Sequence, residues 1–174
     1  NNNYDTAAEY AQASTSVNDV TIELNAGSVK NVYVGGFTYE GCEGITPNNV
    51  KTATVRLGAA DVFKGEVIDG SDAVDSSALE IVPTEYEFAE NQKVIGFDTI
   101  AANGSVSNLN YEFAGTKDST TVTGGAVDFA RILYNYSDTL VIGDDQTAGV
   151  ASIDIKNLVW NIPETSRAVP AMFT

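Results

Sequence analysis

From Gly149 to Pro163 the chain reads GVASIDIKNLVWNIP. Ile153 and Ile155 alternate with Ser152, Asp154 and Lys156, the period-2 pattern of a half-buried strand. The phase then slips, and Leu158, Trp160 and Ile162 take over the parity the polar residues held. A one-residue slip turns side chains to the opposite face, so a bulge or twist is expected at Lys156–Asn157. Pro163 cannot donate to a ladder and ends the strand. This stretch is expected to be the longest strand, the one its neighbours pair around.

Similar alternation recurs along the chain. Val20 to Asn25 alternates and runs into the turn Ala26-Gly27-Ser28. Val29 to Glu40 changes parity across Gly35-Gly36, a second expected bulge. Ala53, Val55 and Leu57 point inward, with Thr52, Thr54 and Arg56 outward. Asp61 to Ile68 is a mixed strand, 69–77 reads as loop, and two short pieces flank Pro83. Asn103-Gly104 is a strong two-residue hairpin signal between Val94–Ala102 and Ser105–Phe113. Gly124-Gly125 marks a second hairpin.

The sum is nine to eleven short strands with frequent Gly, Asn and Asp turns and no visible internal repeat. That predicts an all-β fold: a single-domain antiparallel β-sandwich, a jelly roll ahead of an immunoglobulin-like form. The sandwich would span residues 17–163. Residues 1–16 and 164–174 would be N- and C-terminal arms, whose Tyr4, Tyr10, Val169, Met172 and Phe173 are suited to lying on a neighbour. In size and strand count this architecture resembles single jelly-roll capsid subunits, although no motif of such a family is present.

Charge and residue usage narrow the function classes. Twenty-four acids against nine bases give a net charge of −15, a field that repels nucleic acid from the outer surface. Histidine is absent, which removes the commonest general base and transition-metal ligand. Cys42 is the sole cysteine, so no internal disulfide forms, and without a His partner it reads as a small turn residue. No apolar run is long enough for a membrane span. The sequence begins at Asn1 with no initiator Met or signal peptide, so it is expected to be either a processed mature form or a stretch that follows a cleaved or unlisted segment.

Candidate sites are few. Asp69, Asp72 and Asp75 share one predicted loop, and calcium favours several oxygens on such a loop. Aspartates are also common turn residues, and Asp144-Asp145 is a weaker acidic turn. Tyr134, Tyr136 and Trp160 could stack on sugar rings, although a lone Trp on a central strand is ordinarily core. No nucleophile elbow, phosphate loop or metal motif occurs. No cofactor is implied beyond possible calcium.

The reading is therefore a non-enzymatic self-assembling subunit that partners copies of itself or other coat or surface proteins. Its place would be extracellular, on a cell surface or in a virion, as a jelly-roll coat protein or a surface-layer or filament building block. The alternatives are a carbohydrate-binding module with structural calcium, and a strand-donating adhesin or pilin-like module.

Overall fold

The computed structural model describes residues 15–34, 48–70, 74–113, 119–134, 139–144, 152–160 and 172–173. Thirteen strands run through them. They are β1 (Thr15–Leu24), β2 (Val32–Tyr33), β3 (Asn48–Leu57), β4 (Val67–Asp69), β5 (Val74–Ile81), β6 (Glu85–Glu87) and β7 (Lys93–Ile95). They continue as β8 (Thr99–Glu112), β9 (Ser119–Tyr134), β10 (Thr139–Asp144), β11 (Ser152–Ile155), β12 (Leu158–Trp160) and β13 (Met172–Phe173).

Every strand pair is parallel. Successive segments of β8 pair with β5, then β6, then β7. Those of β9 likewise pair on the other side with β10, β11 and β12. One turn of chain thus lays down three strand segments, each directly over its counterpart in the turn before. This is a parallel β-solenoid, and the antiparallel sandwich and jelly roll expected from sequence are overturned by it. Parallel neighbours need a long crossover connection. Here the other two faces of the coil supply it, so no helix is required.

The columns make the core. Leu24, Leu57, Ile81, Ala102 and Gly124 occupy one column of the first face, and Ile22, Val55, Leu79, Ile100 and Val122 the next. On the second face Tyr86, Val106, Val127 and Ile153 stack. On the third, Val32, Ile68, Val94, Tyr111, Ile132 and Leu158 do. Strand neighbours lie about 4.8 Å apart, so inside the stack apolar residues rest on apolar residues of the adjacent coils. Val55, Leu79, Ile100, Val122 and Ile132 are fully buried. The expected inward set Ala53, Val55 and Leu57 is among the buried residues.

The two expected hairpins are corners instead. Asn103 and Gly104 lie within β8, and neither has the positive φ that a tight Asn-Gly hairpin needs. Asn103 Nδ2 donates to the Val82 carbonyl of the coil before at 2.9 Å. A Cβ on Gly104 would stand 2.1 Å from the Thr84 carbonyl oxygen, and one on Gly125 2.1 Å from that of Gly104. Glycine is there because coils stack at van der Waals distance, while Gly124 turns the corner at φ +89. The bulge expected within one long strand at Lys156–Asn157 is instead a break between two short strands, β11 and β12, which among the described residues pair only with β9. The longest strands, however, are β8 and β9, at 14 and 16 residues.

A hydrogen-bonded knot holds the corner between β7 and β8. The Tyr111 hydroxyl accepts from the Phe97 N–H at 2.9 Å and lies 2.7 Å from the Phe97 carbonyl. Thr120 Oγ1 donates to that carbonyl at 2.9 Å. Asp98 Oδ2 accepts from the Ser77 N–H at 2.7 Å. Ser77 Oγ donates to the Gly96 carbonyl at 3.1 Å, so the side chains of both Ser77 and Thr120 are satisfied inside the core.

Candidate functional site

Two features stand out from the regular stack: its ends and a polar cup on its side.

At the ends several core columns run on without full cover, although Leu24 and Val32 of the first coil are buried. Val20, Ile22 and Val29 of the first coil are only partly buried, and so are Ile153, Ile155, Leu158 and Trp160 of β11 and β12. Their column neighbours one coil inward, Val55, Val127, Phe129 and Ile132, are sealed. Val17 on β1 and Tyr33 on β2 are exposed large hydrophobics at the same end, 47% and 51% accessible. Among the described residues nothing pairs with the outer edge of β1.

The cup lies where the second coil carries no strand beneath β6. Residues 58–66 cross there instead, and their path is fixed by close contacts. Asn31 Oδ1 accepts from the Glu66 and Val67 N–H groups at 2.8 and 3.1 Å. A Cβ on Gly65 would come within 2.4 Å of the Lys30 backbone. The buried Gln92 donates through Nε2 to the Phe63 and Gly65 carbonyls and accepts from the Ala89 N–H. The resulting cavity is about 300 Å³ and is lined by Asp61, Lys64, Tyr86, Glu87, Asn91 and Gln92 together with Phe63 and small residues. Lys64 Nζ lies 3.7 Å from Asp61 Oδ1. Burial, helped by the Asp61 charge, pushes the Tyr86 phenol up to about 12.

Sequence reasoning did not single out these residues. Asp61, Tyr86 and Gln92 come from separate segments and meet only because one coil stacks on the next. The nearest local signal is the polar stretch Glu90-Asn91-Gln92 beside β6.

The residues that were singled out lie elsewhere. Asp69 and Asp75 sit on different strands, β4 and β5, and Asp72 lies outside the described residues. Among the described residues no three His, Cys, Asp or Glu side chains gather as a metal site. Tyr134 is fully buried and meets Phe113 and Trp160 edge-on at 5.5 and 5.0 Å, so its ring has no face open to a sugar. Trp160 is partly buried at the stack end. Tyr136, Cys42, Tyr4, Tyr10 and Val169 lie outside the described residues. The backbone of Met172–Phe173 pairs with β10 of its own chain.

No protein-family model, curated protein or solved structure matches the chain. Among the described residues no helix is long and apolar enough to cross a membrane.

Proposed function

We propose that this chain is a non-enzymatic structural module of a surface layer or filament, and that it assembles with copies of itself through the ends of its coil stack. The observation that carries the reading is the graded burial of the columns. Ile22 and Ile155 stand in the same columns as fully sealed residues, yet are left partly open. A second copy set end to end would continue both the hydrogen-bond ladder and the apolar columns, which is strand addition to an open edge. Head-to-tail contact of this kind is heterologous and builds open filaments rather than closed rings. Each large side chain that it seals contributes roughly 1.5–3 kcal/mol on full burial. An acidic, histidine-free chain built this way suits an extracellular setting.

Analytical ultracentrifugation and negative-stain microscopy over a concentration series test this. Concentration-dependent linear particles are expected, and Ile22→Lys should abolish them while the circular dichroism spectrum stays that of the native fold. A monomer at the highest concentration, or particles unaffected by Ile22→Lys, counts against the proposal.

A further inference from the structure

The cup on the side of the stack is independent of the ends, and its chemistry suits a different partner. Tyr86 is 4% exposed and lines the cavity, and no hydrogen bond of its hydroxyl is found among the described residues. The ring is buried, while the hydroxyl is open to the cavity and so to whatever enters. Around it stand two carboxylates, Asp61 and Glu87, an ammonium on Lys64 and an amide on Asn91. The floor is held by Gln92 and Asn31 and is set before anything binds, while Asp61, Lys64, Glu87 and Asn91 stand exposed around it. Preorganisation of that kind lowers the entropy lost on association. The cavity volume of about 300 Å³ lies at the small end of ligand sites.

We infer that this cup binds a neutral pyranose unit of a glycan. Sugar hydroxyls both donate and accept. The carboxylates of Asp61 and Glu87 accept from them, the Tyr86 hydroxyl and Lys64 ammonium donate to them, and the Asn91 amide does both. Phe63 and the small side chains of Ala60 and Ala89 offer apolar contact for the C–H faces of the ring. An anionic sugar is disfavoured twice. The cup places two carboxylates against one ammonium, and the chain as a whole carries −15. No bond is made or broken in this binding, and the groups act only as hydrogen-bond partners.

Backbone amide NMR titration with methyl glucoside, methyl galactoside, methyl mannoside and N-acetylglucosamine, and with glucuronate as the anionic arm, tests it. At least one neutral sugar should give saturable shifts confined to residues 60–66 and 86–92, with glucuronate at least tenfold weaker. Asn91 is exposed, so Asn91→Ala leaves the fold intact and should weaken binding at least fivefold. Tyr86→Phe keeps the ring and its contact with Phe88 while removing the hydroxyl, and should do the same. Absence of saturable shifts with every neutral sugar overturns the inference. So does glucuronate binding as well as they do, or unchanged affinity in both variants.

Discussion

Two tyrosines differ in how their hydroxyls are used, and both are held neutral by burial. Tyr111 is knotted to Phe97 and Thr120, and desolvation lifts its phenol well above the usual range even though those hydrogen bonds pull the other way. Tyr86, which lines the cup, is lifted from 10.0 to about 12 by burial and the Asp61 charge. Below pH 10 both are protonated folded or unfolded, and they make no difference to stability. Above pH 10 the unfolded chain releases these protons while the folded chain keeps them, so the unfolded state binds fewer protons and stability falls as pH rises. Each such tyrosine weakens the fold progressively until its folded pKa is passed. Urea midpoints should therefore decline steeply between pH 10 and 12, and Tyr86→Phe should flatten that decline. A midpoint constant across this window would mean that neither phenol is held as described. Asn110 is a contrasting case: its Oδ1 is buried with no hydrogen-bond partner.

Strands and corners explain both what the sequence revealed and what it hid. Ala53, Val55 and Leu57 were legible because a solenoid face, with core on one side and water on the other, alternates as a half-buried antiparallel strand does. Fully parallel sheets usually announce themselves by continuous apolar runs, since both faces are covered. That signal is missing when the sheet coils around its own core, so the direction of pairing could not be read. Asn103-Gly104 misled for a related reason: a residue pair apt for φ > 0 was needed for lack of a Cβ instead. The repeat was hidden because the coils differ in length. Leu24, Leu57, Ile81, Ala102 and Gly124 share a column but recur at unequal intervals, so no fixed period exists to find. The cup was illegible because its walls come from different coils. The glycine corner yields a prediction at this scale. Gly125→Ala sets a Cβ against the Gly104 carbonyl, which is backbone and cannot swing aside. The change should lower stability by about 1–3 kcal/mol, the usual penalty of overpacking, read as a reduced urea midpoint. An unchanged midpoint would show that the coils do not stack as tightly as the corner requires.

Across the whole molecule, contact is between successive coils, so stability is shared along one axis. In such a stack each unit is held by its own packing and by its immediate neighbours. The middle coils, carrying Leu79 and Ile100, have a sealed partner on both sides. Among the described residues the first coil, with Val20 and Ile22, has one, and so do β11 and β12, whereas β10 of that last coil lies between β9 and β13. Local opening is least costly where the fewest apolar contacts are lost, so the ends should open first and the centre only with global unfolding. Hydrogen–deuterium exchange on dilute protein should show amides of β5, β8 and β9 exchanging slowest, with β1, β11 and β12 faster by at least tenfold. The same experiment at assembling concentration joins this gradient to the proposed function. Copies docked end to end give each terminal coil a second neighbour, so protection of β1, β11 and β12 should climb towards that of the centre while the middle barely changes. Uniform protection in dilute protein would break the coil-by-coil account of stability. A gradient that persists unaltered at high concentration would leave that account standing and remove end-to-end assembly, so one measurement separates the two.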